Sequence, residues 1–357
     1  KTKRNFRIMT NFILVFLSLA LLVFLHEFFH FIFAKKYKLK VDEFGFGFPP
    51  RIYGKKIKET LYSLNLLPFG GFVKIDEKSF KKSPFKSRFW VIFAGIFSFW
   101  IIGYLIFSFN SIIGIPISTN YSMPKNNEKI WVAIIDVNKN SPAQKVGLRQ
   151  GDRILSVKTK ENNFLIENIF QFQKIVEENK GKEIEIEVLR GKKILNFSVV
   201  PRQSHPPDEG PLGLRIDTIY IKKTPWYLAW WDGLKYTLQY SKRITEGYFL
   251  LFLNIFKKET TESLVGPIGF LHFSSIFLNL GPSYFLYFLG MASLSLSFFN
   301  LLPLPVTDGG RILLMLIEKI RKKEFSLETE KTLFGVFFFF LLILAIIISI
   351  RDIQRIM

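Results

Sequence analysis

The chain has 357 residues, of which 49% are hydrophobic and 22% charged, with 41 Phe, a formal net charge of +20 and no Cys. That length would suit about two soluble domains of ~150 residues, but a mean hydropathy of +0.22 beside so much charge requires apolar stretches for lipid and basic stretches outside it. The absence of Cys excludes disulfides, thiolate metal sites and cysteine nucleophiles, and the long apolar runs assign the lysines to membrane flanks rather than to nucleic acid.

Four stretches approach the ~20 apolar residues that a ~30 Å hydrocarbon core requires of a helix: 12–34, 89–109, 284–304 and 333–350. The first is too long for a signal peptide, and no small-residue cleavage site follows it. Between the second and third, 130–201 reads as a small α/β module. Trp131-Val-Ala-Ile-Ile-Asp-Val is a strand, 141–155 a turn, short helix and strand, 169–179 a helix, and 183–200 alternates with period two around Arg190-Gly191. His205-Pro-Pro-Asp-Glu-Gly-Pro reads as a linker, and 226–256 as an amphipathic, aromatic helix on or near the bilayer. Lys and Arg are denser after the first and third stretches than at the opposing ends, which places 35–88 and 309–332 in the cytoplasm and 114–282 outside.

The first stretch holds His26-Glu27-Phe28-Phe29-His30. Imidazoles at i and i+4 share a helix face and can grip one metal, with Glu27 beside them and directed toward a metal-bound water. An ionisable group mid-helix costs ~2.5–3.5 kcal/mol on insertion scales, so its presence there is functional by default. His26 lies about 14 residues, or ~21 Å of helix, beyond Phe12, in the cytoplasmic half of the core. A catalytic zinc usually takes three protein ligands. His205 and His272 have no obvious route to that depth, whereas Asp308, in Asn300-Leu-Leu-Pro-Leu-Pro-Val-Thr-Asp-Gly-Gly310, follows a stretch running in the same direction as the first. Its alternative role is a helix N-cap.

With these motifs and an intervening PDZ-like module, the chain resembles the site-2 proteases, and within them the bacterial regulator-of-sigma-E protease group. The resemblance covers nearly the whole chain. Residues 44–49 and 62–74 match that family's membrane-re-entrant β-hairpin loop, and Val265-Gly-Pro-Ile-Gly269 its turn before the third span. The resemblance implies that His26, His30 and Asp308 hold Zn2+, that Glu27 is the general base and acid, and that Asn300 helps hold the substrate or developing oxyanion. The chain departs from the family in having Ile96 and Phe99 where Pro and Asn are usual. It also has Thr307 in place of Leu before the Asp, a change of small expected consequence.

The expected fold is a polytopic α-helical membrane protein with four transmembrane helices, a re-entrant β-hairpin and one extracytoplasmic PDZ-like α/β domain. Its parts are 1–113 (two spans, zinc helix and β-loop), 114–202 (PDZ-like), 203–282 (linker and interfacial helix) and 283–357 (two spans with the Asp308 motif). The expected activity is intramembrane zinc endopeptidase action on single-span membrane proteins or remnant signal peptides, in the bacterial cytoplasmic membrane. A substrate helix hides its carbonyls in its own hydrogen bonds, so Tyr62, Ser63, Leu64, Asn65 and Leu66 are expected to offer a strand edge to an unwound segment. A lid that only seals the site from lipid is the competing role. No carboxylate-binding loop is readable before Val132, so the PDZ-like module binds a chain terminus, filters substrates by size or is structural. A non-catalytic membrane PDZ scaffold would leave the His–Glu–His and Asp308 motifs unused. A metal transporter would need polar sites along several spans, and the second and fourth carry no charge.

Overall fold

The computed structural model describes residues 2–119, 124, 128–191, 193–206, 209–254 and 265–356. Among them, four helices are long and apolar enough to cross a membrane: Met9–Lys36 within α1 (Thr2–Lys36), α3 (Phe85–Ile113), α8 (Pro282–Leu301), and Leu327–Gln354 within α10 (Leu327–Ile356). Each contains one of the expected stretches except at the end of the third. There α8 stops at Leu301 rather than 304, because Pro303 has no N–H to continue the ladder and restricts the residue before it. The chain is therefore a membrane protein with a sheet-rich region, and it divides into two compact units.

The helical unit comprises Lys1–Phe107, Gly233–Ser275 and Phe288–Met357. Its central member is α3. Ser293 and Ser297 of α8 donate to the carbonyls of Phe99 and Ile96 at 2.7 and 2.8 Å, and Trp100 donates to Ser241 of α6 (Trp226–Leu253) at 3.2 Å. The α6 helix begins where the sequence predicts, while its expected end at Phe256 lies outside the described residues.

After α1 come β1 (Val41–Ile57) and β2 (Thr60–Ile75), which pair with each other as a sheet whose strands are each used twice. Phe44 lies opposite Val73 and also opposite Tyr62, and Tyr62 is in turn opposite Lys55. The sheet rests on α1 through aromatic contacts, with the Phe24 ring 5.5 Å from Phe44 and 5.3 Å from Phe46. Then follow the short α2 (Glu77–Lys82), capped by Asp76, and, later in the chain, α7 (Pro267–Leu280) and α9 (Asp308–Arg321).

The sheet unit comprises Ser108–Asp232 and Ile276–Tyr287. Its strands β3 (Ile115–Ser118), β4 (Ile130–Val137), β5 (Arg153–Lys158), β6 (Asn163–Leu165), β7 (Ile184–Arg190), β8 (Lys193–Val199) and β9 (Leu214–Lys222) lie in the order β3-β9-β4-β5-β7-β8, with β6 on β5. Their inward positions form a core with α4 (Pro142–Val146) and α5 (Ile169–Glu178), built on residues such as Val132, Ile154, Phe172, Val176, Ile186 and Val188. The sheet passes the expected limit at 202. Leu214 to Lys222, read from sequence as part of a linker and helix region, is the strand β9 between β3 and β4. Alternating burial drives it there, and no local turn signals that pairing.

Candidate metal centre

His26 and His30 lie one helical turn apart on α1, and both are buried. Their Nδ1 atoms meet the carbonyl oxygens of Gly95 and Val91, also one turn apart on α3, at 2.9 and 2.8 Å. A carbonyl oxygen only accepts, so each Nδ1 carries the proton and each Nε2 keeps its lone pair. The two Nε2 atoms face each other at 3.3 Å, and Asp308 Oδ2 stands 3.5 Å from His26 Nε2 and 3.3 Å from His30 Nε2. Asp308 Oδ2 is itself buried without a hydrogen-bond partner.

Three electron-pair donors in contact, with no proton to share, repel unless a cation sits among them. Ligands ~2.0–2.1 Å from a tetrahedral zinc would be spaced about 3.3 Å apart, close to the spacings here. The three ligand atoms lie within 4.8 Å of one another. Backbone carbonyls on the second ring nitrogens are the usual outer support of metal-bound imidazoles. The donor set fits a zinc ion.

Close approach makes the arrangement possible. A β-carbon on Gly95 would lie 2.1 Å from His30 Nε2, so only glycine lets α3 come this near to α1. Gly309 and Gly310 pass similarly against the carbonyls of Leu301 and Leu304, at 2.2 and 1.8 Å from an added Cβ. The helix N-cap is Thr307, not Asp308. Thr307 Oγ1 accepts from Gly310 N–H at 3.3 Å and donates toward the carbonyls of Leu302 and Leu304 at 2.6 and 2.9 Å. The residue expected to matter little thus organises the turn that aims Asp308 inward. Phe99, one of the departures from the family pattern, lies flat against the His26 ring with centroids 4.5 Å apart.

Glu27 is half-buried, and its Oε2 accepts the backbone N–H of Val73 at 3.1 Å. That contact ties the hairpin to the centre. Asn300 donates to the carbonyl of Leu296 one turn earlier at 3.1 Å and is not part of the ligand group. Neither are His205, which bonds the Pro206 carbonyl, or His272.

The expected strand edge at 62–66 needs correction at 62–64. Tyr62, Ser63 and Leu64 have β-neighbours on both sides (Phe44, Gly45 and Phe46 on one, Lys55, Gly54 and Tyr53 on the other), and Asn65 is opposite Arg51 while its side chain binds the carbonyl of Gly47 at 3.1 Å. Tyr62, Ser63 and Leu64 are thus flanked on both sides, because β1 folds back across β2, whereas Asn65 has one neighbour and Leu66 has none among the described pairings. Among the described residues, 71–75 pairs only with 41–46, leaving an edge whose Val73 N–H faces Glu27. In the sheet unit, β9 is an interior strand between β3 and β4. Beyond Ile219 the β3 side continues, with Thr119 N–H donating to the Thr218 carbonyl at 2.9 Å.

Membrane-length helices enclosing a buried His–His–carboxylate group, with a second carboxylate alongside, define a membrane protein with a metal-binding centre. The model of peptidase family M50 matches residues 14–344. A protein of Clostridium perfringens described as a zinc metalloprotease is 30% identical over 96% of this chain and 98% of its own length. The zinc metalloprotease RasP of Oceanobacillus iheyensis and the protease eep of Enterococcus faecalis are each 24% identical over 97% of this chain, covering 99% and 98% of their own lengths. The chain belongs to peptidase family M50, the site-2 proteases, and is a membrane metalloprotease.

Proposed function

We propose that the protein is a zinc endopeptidase that cuts single-span membrane proteins or remnant signal peptides within the bilayer of a bacterial cytoplasmic membrane. The observation that carries this reading is the convergence of His26 Nε2, His30 Nε2 and Asp308 Oδ2 within 4.8 Å, with His26 and His30 inside a membrane-length helix. Zinc, when bound there, would polarise a peptide carbonyl and acidify a water. Glu27 is the base that takes a proton from the attacking water and returns it to the leaving amine. Its contact with Val73 orients the carboxylate and joins it to a strand edge. The edge at 71–75, whose Val73 N–H Glu27 holds, rather than 62–64, is where an unwound substrate segment would add as a strand, and Asn300 is assigned to substrate holding by family resemblance only.

The Lys and Arg bias supports a cytoplasmic position for 35–88 and an external one for the sheet unit, with the metal centre in the cytoplasmic half of the bilayer. We read the sheet unit as a PDZ-like domain. Its roles are to bind a chain terminus, to filter substrates by size, or to be structural.

The test is cleavage of a purified single-span reporter by wild type and by Glu27→Gln, with metal content measured on both. The variant should hold about one zinc per chain and lose ~10²–10⁴-fold in rate. Near-normal cleavage by a zinc-loaded Glu27→Gln protein would reject the assigned chemistry.

A further inference from the structure

The sheet unit contains a cavity of about 260 Å3 that the metal centre does not use. One wall is the sheet, with Trp131 on β4 and Arg153 on β5. The other is the end of α7 and the start of α8, with Ile276, Phe277, Leu280 and Tyr284. Gly151 at the edge lets the walls close, since a β-carbon there would already meet Leu280 Cδ2 at 3.3 Å.

Among the described residues, Arg153 is the single charged one in the lining. Its guanidinium lies over the Trp131 ring at 4.8 Å, while its Nε is buried and lacks a hydrogen-bond partner. The adjacent acid is already taken. Asp152 is fully buried and bound in a fork by Arg190, at 2.6 Å from Nε to Oδ1 and 2.7 Å from Nη2 to Oδ2. A partly buried guanidinium without a counter-charge is costly, and it invites an anion with two acceptor oxygens. The rest of the lining is almost wholly apolar or aromatic. Leu280 and Tyr284 flank Gly281-Pro282, where a membrane-length helix begins, so the cavity stands where the chain passes between lipid and water. Trp and Tyr beside a cation are the residues that favour that level.

We propose that this cavity binds one anionic phospholipid, its phosphodiester on Arg153 and the first carbons of an acyl chain against Ile276, Phe277 and Leu280. The volume lies just below the ~300–1,000 Å3 of pockets that enclose a whole drug-sized ligand, which suits one end of an amphiphile. Basic pockets at span ends select anionic head groups through this charge.

The experiment titrates the full chain in neutral detergent with dioctanoyl phosphatidylglycerol, dioctanoyl phosphatidylcholine and inorganic phosphate, by calorimetry. Wild type should prefer phosphatidylglycerol by about tenfold, the scale of a charge-assisted hydrogen bond. Arg153→Gln should abolish the preference, and Arg153→Lys should keep part of it, because the charge remains but the planar fork is lost. Leu280→Trp, which fills the cavity and leaves Arg153 in place, should also lose binding and guards against a folding artefact at Arg153. Equal affinity for both lipids, an unchanged preference in Arg153→Gln or in Leu280→Trp, or full displacement by inorganic phosphate alone would each overturn the proposal.

Discussion

Gly95 donates nothing but space to His30: a β-carbon at that position would overlap the imidazole at 2.1 Å from Nε2, and the Gly95 carbonyl meanwhile receives the Nδ1–H of His26 at 2.9 Å. One residue thus permits the contact between α1 and α3 and fixes the ring tautomer that turns the Nε2 lone pair inward. Gly95→Ala should therefore strip the metal. Loss of an outer-shell contact alone lowers metal affinity ~10–100-fold, and a clash with the ligand should exceed that. Phe97→Ala, at an exposed position on the same helix, should leave zinc content unchanged. Retention of stoichiometric zinc by Gly95→Ala would mean that α3 can move aside without cost.

The hairpin prediction rests on the Glu27–Val73 contact. Val73→Pro removes the N–H that Oε2 accepts, and proline is tolerated on edge strands where the N–H points away from the ladder. Zinc content should stay normal while turnover falls by about tenfold or more, as the base loses its orienting hydrogen bond. Ser63→Pro should behave differently. Ser63 is opposite both Gly45 and Gly54, so proline there should disrupt the sheet and reduce the yield of folded protein. Normal turnover by Val73→Pro would remove the contact from the mechanism.

The contrast between these two sites marks what the sequence could disclose. His26 and His30 were legible because i, i+4 spacing is a property of any helix, and Asp308 because two spans of the same direction end at one membrane face. Helix length and hydropathy likewise placed the four spans to within a few residues. The double use of β1 and β2 was not legible, because alternation gives the face of each residue but not its partner. The same holds for β9, whose pairing with β4 joins residues some eighty positions apart in the chain. Phe99 and Thr307 read as departures from a pattern, and their roles come from atoms that the pattern does not contain.

Thr307 yields a third prediction. Its hydroxyl serves Gly310 N–H and two carbonyls of the turn before α9. Thr307→Val keeps the shape and deletes those bonds, which should cost ~1 kcal/mol as a lost cap and lower zinc affinity about tenfold through the displaced Asp308. Thr307→Ser keeps the hydroxyl and should restore both. Competition with a chelator of known affinity measures the difference; equal zinc retention by all three proteins would show that the glycines alone hold the turn.

Asp352 gives the fourth. It is 2% exposed, lies near the end of α10, and its Oδ2 accepts the N–H groups of Gly266 and Gly269 at 3.0 and 2.7 Å. Those donors belong to the opening turn of α7, whose first N–H groups have no partner within the helix, and the carboxylate also complements the positive end of the helix dipole. The Val265–Gly269 motif therefore acts as a receptor for a carboxylate from a helix more than eighty residues later. Asp352→Leu leaves two donors without a partner and should destabilise the protein by ~2–4 kcal/mol, whereas Asp352→Asn keeps one acceptor oxygen and should cost less than half as much. Thermal unfolding in detergent checks the order, and zinc content at low temperature should be the same for all three, because neither glycine approaches the metal ligands. A Leu variant as stable as wild type would show that α7 satisfies its first turn by another route.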